Sequence, residues 1–221
     1  MHPEFWQQRW AAGQIGFHQS EPTALLQKHW PALGIPAQAK VLVPLAGKSL
    51  DMLWLAAQGH QVLGVELTQR AVDQFFAEHA LSPQVHSSRY GRHHVAGNIE
   101  LICGDVFALD AALLADCSAV FDRAAIIALP PDLRARYAAT PYGLLPAGCQ
   151  GLMITLEYAQ AERDGPPFSV QEEEVRRLLQ PRWEVELQER RPIPRDHPGH
   201  VAGTSLLDTV VYGLRARLPE D

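Results

Sequence analysis

Short, almost wholly apolar runs alternate with helix-period segments through the first half of this chain, and that alternation leaves few folds open to it. Lys40–Pro44 (KVLVP) is such a run, the mark of a strand covered on both faces. Leu50, Leu53, Trp54 and Ala57 then recur at helical spacing, which predicts an amphipathic helix over 48–58, with Gly59 where a helix C-cap is expected. Gln61–Glu66 (QVLGVE) predicts a second buried strand. Val72, Phe75 and Phe76 share one face of a second helix ending near His79. Strands alternating with helices imply a parallel, doubly wound sheet.

The later chain carries weaker periodicity. Residues 82–97 read as an irregular, histidine-containing segment, followed by strands at Ile99–Cys103, Ala119–Phe121 and Gly151–Leu156. Ser169 and Glu172 have capping-box spacing ahead of a helix that buries Val175, Leu178 and Leu179 and that Pro181 stops. Strands near Trp183–Leu187 and Ser205–Gly213, with no long helix between them, imply antiparallel pairing at one edge. The expected fold is therefore α/β: a Rossmann-like, doubly wound, mostly parallel seven-stranded sheet with one antiparallel edge strand. No repeat or low-complexity linker interrupts the 221 residues, and the Pro-rich patches at 166–167 and 192–198 read as ordered loops. Residues 1–221 are expected to form a single domain.

Charge and composition exclude several classes of partner. A formal charge of −6 at pH 7 argues against nucleic acid, which needs a concentrated basic face. No stretch approaches the roughly 20 apolar residues of a membrane span, and the opening MHPEFWQQRW lacks a basic-then-apolar signal pattern. Cys103, Cys117 and Cys149 form no CxxC pair and read as the reduced thiols of a cytoplasmic protein. A monomer acting on a small molecule is the default expectation.

In an open α/β sheet, ligands bind beyond the carboxyl ends of the strands, where the strand order reverses. Two places follow: the turn Pro44-Leu45-Ala46-Gly47 and the acid Glu66, about 20 residues beyond it, a spacing suited to gripping ribose hydroxyls. Three ligand classes compete. A dinucleotide site lacks its GxGxxG. A P-loop is suggested by Gly47-Lys48-Ser49, but its first glycine position holds Leu42, and Pro44 removes a backbone donor. An adenosyl ligand without phosphates tolerates a glycine-poor turn and fits best. Against this, Glu66 reads less readily as a solvated strand-end carboxylate, while Asp105 reads equally well as an acid opening a helix.

Five strings in one order resemble the thiopurine S-methyltransferase family. They are Phe5-Trp6-Gln7-Gln8-Arg9-Trp10 with Gly16-Phe17-His18-Gln19, Val43-Pro44-Leu45-Ala46-Gly47-Lys48-Ser49, Gly64-Val65-Glu66, Phe121-Asp122-Arg123-Ala124-Ala125 and Gly165-Pro166-Pro167-Phe168. The resemblance implies S-adenosylmethionine as cofactor, held by Trp10, Leu45, Glu66, Asp105, Val106 and Arg123. It also implies Phe17 packing on an aromatic acceptor and Arg123 facing the reaction, where it is the catalytic candidate. Residues 1–35 then form a helical cover over the active site, and segments 82–97 and 190–204 cover the acceptor, with Arg195 a further acceptor-side candidate. The implied acceptor is an aromatic or heterocyclic thiol such as a thiopurine. Selenium and tellurium compounds extend this to a detoxification role.

The residues themselves leave alternatives. Trp6 and Trp10 share a helix face and serve either a pocket or plain core packing, as does Phe17. Arg123, just past a buried strand, needs either a ligand or a salt bridge to Asp122 or another nearby acid. HExxH, GxSxG and paired cysteines are all missing. Adjacent histidines on a strand point apart, so His93-His94 and His197…His200 read as polar loop residues without a carboxylate partner, and no metal is expected. Rivals from other classes are a non-catalytic adenosyl-binding domain acting through protein partners, favoured if Arg123 is locked in a salt bridge, and a nucleotide-dependent oxidoreductase.

Overall fold

A computed structural model describes residues 3–197 and 200–218; of the Pro-rich stretch at 192–198, Pro198 lies outside the described residues. Among the described residues, nine strands build one sheet: β1 (Lys40–Pro44), β2 (Gln61–Glu66), β3 (Gln84–Ser88), β4 (Gly91–Ala96), β5 (Ile99–Cys103), β6 (Cys117–Arg123), β7 (Gln150–Glu157), β8 (Trp183–Pro192) and β9 (Asp208–Ala216). Their order is β3-β4-β5-β2-β1-β6-β7-β9-β8. The five central strands, β5 to β7, pair in parallel, as the apolar runs predict.

Two features differ from expectation. The segment 82–97 is a β-hairpin, β3 paired antiparallel with β4 and β4 with β5, which raises the count from seven strands to nine. Its outer strand is exposed at every position, so no apolar alternation marks it in the sequence. The reversed strand β9 is inserted between β7 and β8, so with β4 two of the described strands are reversed, each one place in from an edge.

Among the described residues, seven α-helices accompany the sheet: α1 (Pro3–Ala11), α2 (Ala24–His29), α3 (Asp51–Ala57), α4 (Gln69–Glu78), α5 (Ala111–Leu114), α6 (Pro131–Tyr137) and α7 (Glu172–Leu179). Strand alternation divides the core into two layers. Val41, Val43, Val62 and Phe121 pack with Leu26 of α2, Met52 and Leu55 of α3, and Phe75 of α4. Leu42, Leu63, Val65 and Val120 pack on the opposite face with Leu114 of α5, Tyr137 of α6, and Val175 and Leu179 of α7. Each layer buries apolar area at about 25 cal/mol per Å², the main source of stability.

Helix ends are set partly by distant groups. Gly59, with φ of 89°, follows α3 in the left-handed conformation that ends helices. Ser169 does not cap α7. Its hydroxyl accepts from the Tyr158 and Gln171 side, and the first N–H of α7 at Glu172 donates instead to Glu157 Oε1 at 2.9 Å. A carboxylate on a neighbouring strand thus replaces the local capping box.

Candidate active site

From β1 the chain runs outward through β2 to β5 on one side of the sheet, while β6 and β7 lie on the other. The reversal between β1 and β6 is the switch point at which such sheets open a crevice. Pro44, Glu66, Cys103 and Arg123 are the last residues of β1, β2, β5 and β6. The turn, the ribose-binding candidate, the Asp105-Val106 pair and the candidate arginine therefore all leave one edge of the sheet.

The turn after β1 is tight and strained. Leu45 has φ of 48° and Gly47 of 55°, a region that costs a residue with a Cβ about 1–2 kcal/mol. Ala46 N–H donates to the Val65 carbonyl at 2.9 Å, which pins the turn onto β2. Glu66 completes the fastening: Gly47 N–H donates to its Oε2 at 2.9 Å and Thr68 N–H to its Oε1 at 2.8 Å. Burial pushes the Glu66 carboxyl above the usual glutamate range, and these backbone donors oppose the shift. Glu66 is thus a buried, orienting carboxylate and not a solvated strand end.

Aromatic rings lie over that turn. A Cβ on Gly47 would stand 3.4 Å from Trp10 Cζ2 and 3.8 Å from Phe17 Cε2. Trp10 is buried, and Phe17 meets the Trp6 and Trp10 rings edge-on at centroid distances of 5.9 and 5.7 Å. Both tryptophans of α1 therefore engage Phe17 near the strand ends.

Arg123 points to the same layer as Phe121. Its Nη2 donates to the Phe17 carbonyl at 3.2 Å, and its Nη1 lies 3.5 Å from Asp51 Oδ2. Burial lowers the guanidinium pKa, with Asp51 working the other way. The neighbouring Asp122 is not its partner, because successive strand residues face opposite layers. Asp122 accepts 2.9 Å hydrogen bonds from the Tyr137 and Tyr142 hydroxyls and one at 3.3 Å from Ile126 N–H. Among the described residues, Asp51 is the only ion-pair partner of Arg123, so of the two salt bridges the sequence left open it is the nearby acid and not Asp122 that the structure shows, as a single long contact.

One strand further out, Gly104 N–H donates to the Glu66 carbonyl at 2.9 Å. Asp105 follows, exposed, accepting from Phe107 N–H at 2.9 Å, so it does open a short helical turn; Val106 is buried in the core. Arg195 stands apart: it donates to the Ser205 carbonyl at 3.2 Å within the loop joining β8 and β9.

A thiopurine S-methyltransferase family profile matches residues 1–217. The thiopurine S-methyltransferase of Nitrosomonas eutropha is 59% identical over 97% of this chain and 98% of its own. That of Xanthomonas campestris is 58% identical over 97% and 99%. The chain belongs to the thiopurine S-methyltransferase family. It is an enzyme of that family, and S-adenosylmethionine is its cofactor. Solved structures share its fold at lower identity. The Burkholderia thailandensis 1,6-didemethyltoxoflavin-N1-methyltransferase, with bound S-adenosylhomocysteine, superposes with a TM-score of 0.65 at 20% identity, over 98% of this chain and 87% of that one. An S-adenosylmethionine-dependent methyltransferase from Anabaena variabilis gives 0.63 at 14% identity, over 97% and 95%.

The chain's residues fit the family's cofactor. Each Glu66 oxygen accepts one backbone N–H and retains lone-pair capacity for a diol. Lys48, which suggested a P-loop, is buried and paired with Glu78 of α4 at 2.6 Å, so it is not available to a phosphate.

Two residues gathered around Arg123 have no role assigned to them from the sequence. Asp51 is buried at the start of α3 and accepts from Thr23 N–H at 2.7 Å and the Ser49 hydroxyl at 2.9 Å while facing Arg123. It joins the N-terminal segment, the turn and the arginine. An acid in the first turn of a helix is too common to single it out. His18, beside Phe17, has its pKa lowered by burial and then by the positive charges of Lys48 and Arg123, with Glu78 opposing. His93 and His94 lie on β4 and both are buried, so they are strand residues and not loop residues.

Proposed function

We propose that the protein methylates the sulfur of aromatic or heterocyclic thiols of the thiopurine kind, and selenium or tellurium compounds as a detoxification reaction, as a monomer in the cytoplasm. S-adenosylmethionine, when bound, supplies an electrophilic methyl group for in-line displacement. What the chain must add is alignment and charge. Trp10, Leu45, Glu66, Asp105, Val106 and Arg123 hold the donor, with the Glu66 carboxylate accepting from the ribose diol. Phe17 packs on the acceptor ring, and residues 1–35 cover the site within a single domain.

Arg123 carries this reading. A largely buried guanidinium with a carbonyl at 3.2 Å and a carboxylate at 3.5 Å keeps most of its five N–H donors for an anionic acceptor. The thiolate is the nucleophilic form of a thiol. A fixed positive charge beside it favours the ionised acceptor, so a strong general base is not required.

The test is transfer of labelled methyl from S-adenosylmethionine to 6-mercaptopurine, with selenite and a panel of small thiols run in parallel. Labelled methylthiopurine is the expected product. Cofactor binding by calorimetry with no methylated product from any sulfur or selenium acceptor would overturn the acceptor assignment.

A further inference from the structure

The hairpin that extends the sheet assembles a second constellation, remote in kind from the methyl-transfer site. Antiparallel register sets His86 of β3 directly opposite His93 of β4. The next pairing sets Ile102 opposite His93 and Val95 opposite Glu100 on β5. Glu100 is therefore diagonal to His93 on the same face, within reach of a long side chain. The His86 and His93 rings stack at 4.5 Å with 20° between their planes, and His93 Nδ1 lies 2.6 Å from Glu100 Oε1. One ligand atom from each of the three residues falls within 4.8 Å of the others.

We propose that His86, His93 and Glu100 bind a divalent late first-row transition-metal ion, with water completing the coordination. Two imidazoles and one carboxylate suit zinc, nickel or copper, whereas calcium and magnesium require shells of oxygen. Ligands about 2.0–2.2 Å from a tetrahedral zinc lie roughly 3.3–3.6 Å apart, so the Glu100 carboxylate must draw back from His93 Nδ1 to admit the ion while the wider contacts close in. Side-chain rotation suffices, since His86 is exposed and Glu100 half-buried. His93 is the fixed member, buried and held at both ring nitrogens. Ser88 Oγ lies 2.6 Å from its Nε2. With the ion on Nδ1, the single N–H of the neutral ring moves to Nε2 and donates to Ser88 Oγ. That hydroxyl then orients the ligand as outer partners do at metal sites. No net proton is released by this rearrangement. His94 takes no part: its ring stacks on Phe76 of α4 on the opposite face.

The experiment is zinc titration of the untagged, chelator-treated full chain by calorimetry, paired with the visible spectrum of the cobalt-loaded protein. One ion per chain is expected. His86→Ala, which removes an exposed ring, and Glu100→Gln should each weaken zinc at least tenfold and abolish the cobalt band. Ser88→Ala should keep one ion per chain and weaken it less. Circular dichroism checks that each variant is folded. Uptake of no zinc at millimolar concentration would overturn the proposal. So would unchanged affinity in His86→Ala and Glu100→Gln, which would place the ion on other histidines.

Discussion

At the end of β6, two consecutive side chains meet opposite environments: Asp122 enters a tyrosine-lined core, while Arg123 faces Asp51 and the Phe17 carbonyl. The proposed roles make Arg123 and Glu66 separable by kinetics. Arg123→Ala should lower kcat about 10- to 100-fold, as expected for a lost charge-assisted contact present mainly in the transition state, and weaken S-adenosylmethionine by clearly less than that. Glu66→Gln keeps the side-chain shape and removes the charge. It should raise the cofactor Kd about 10-fold or more, the value of a hydrogen bond to an ionised group, with a smaller effect on kcat at saturation. Calorimetry for binding and initial rates for turnover decide both; a reversal of the two patterns would reverse the assignment.

At the scale of elements, the N-terminal segment is fastened at several points. Thr23 N–H donates to Asp51, the Trp30 indole donates to His60 at 3.0 Å, and Lys28 and His29 both contact Glu189 of β8. Helix α1 instead reaches the turn after β1 through Trp10, which lies with Phe17 of the following loop over Gly47. Trp10→Ala should therefore weaken S-adenosylmethionine about 5- to 20-fold. Part of this is lost aromatic contact with a sulfonium, worth about 1–2 kcal/mol. Loss of far more stability than binding, read from thermal melts beside titrations, would mark Trp10 as core packing alone.

For the whole molecule, the buried acids set one arm of the pH dependence. Burial raises the Asp122 carboxyl above its usual range despite its hydrogen bonds. A raised folded-state pKa gives stability that is complete below the unfolded value and is lost as pH rises through the folded one. Asp122→Asn removes that titration, so its stability relative to the wild type should improve steadily above about pH 4. Asp122→Ala strands two tyrosine hydroxyls and should cost about 2–5 kcal/mol at any pH. Urea melts from pH 4 to 8 test both, and parallel curves for Asp122→Asn and wild type would exclude Asp122 as the titrating group.

Local patterning carried much of this protein. Lys40–Pro44, Gln61–Glu66 and Ile99–Cys103 are strands with the bounds their apolar runs predict, because strand and helix periods are written in neighbouring residues. The placement of the turn and of Glu66 at strand ends was legible for a related reason, since a switch point lies where strands end, whereas the role given to Arg123 came with the family resemblance. Pairing across the chain decided the rest. The exposed strand β3 has no apolar period and exists only because β4 offers it a partner. Asp51 meets Arg123 across 72 residues, and the cap of α7 comes from another strand. The grouping of His86, His93 and Glu100 depends on the register of three strands. Register is a non-local quantity, fixed by which backbones hydrogen-bond, and no single segment encodes it.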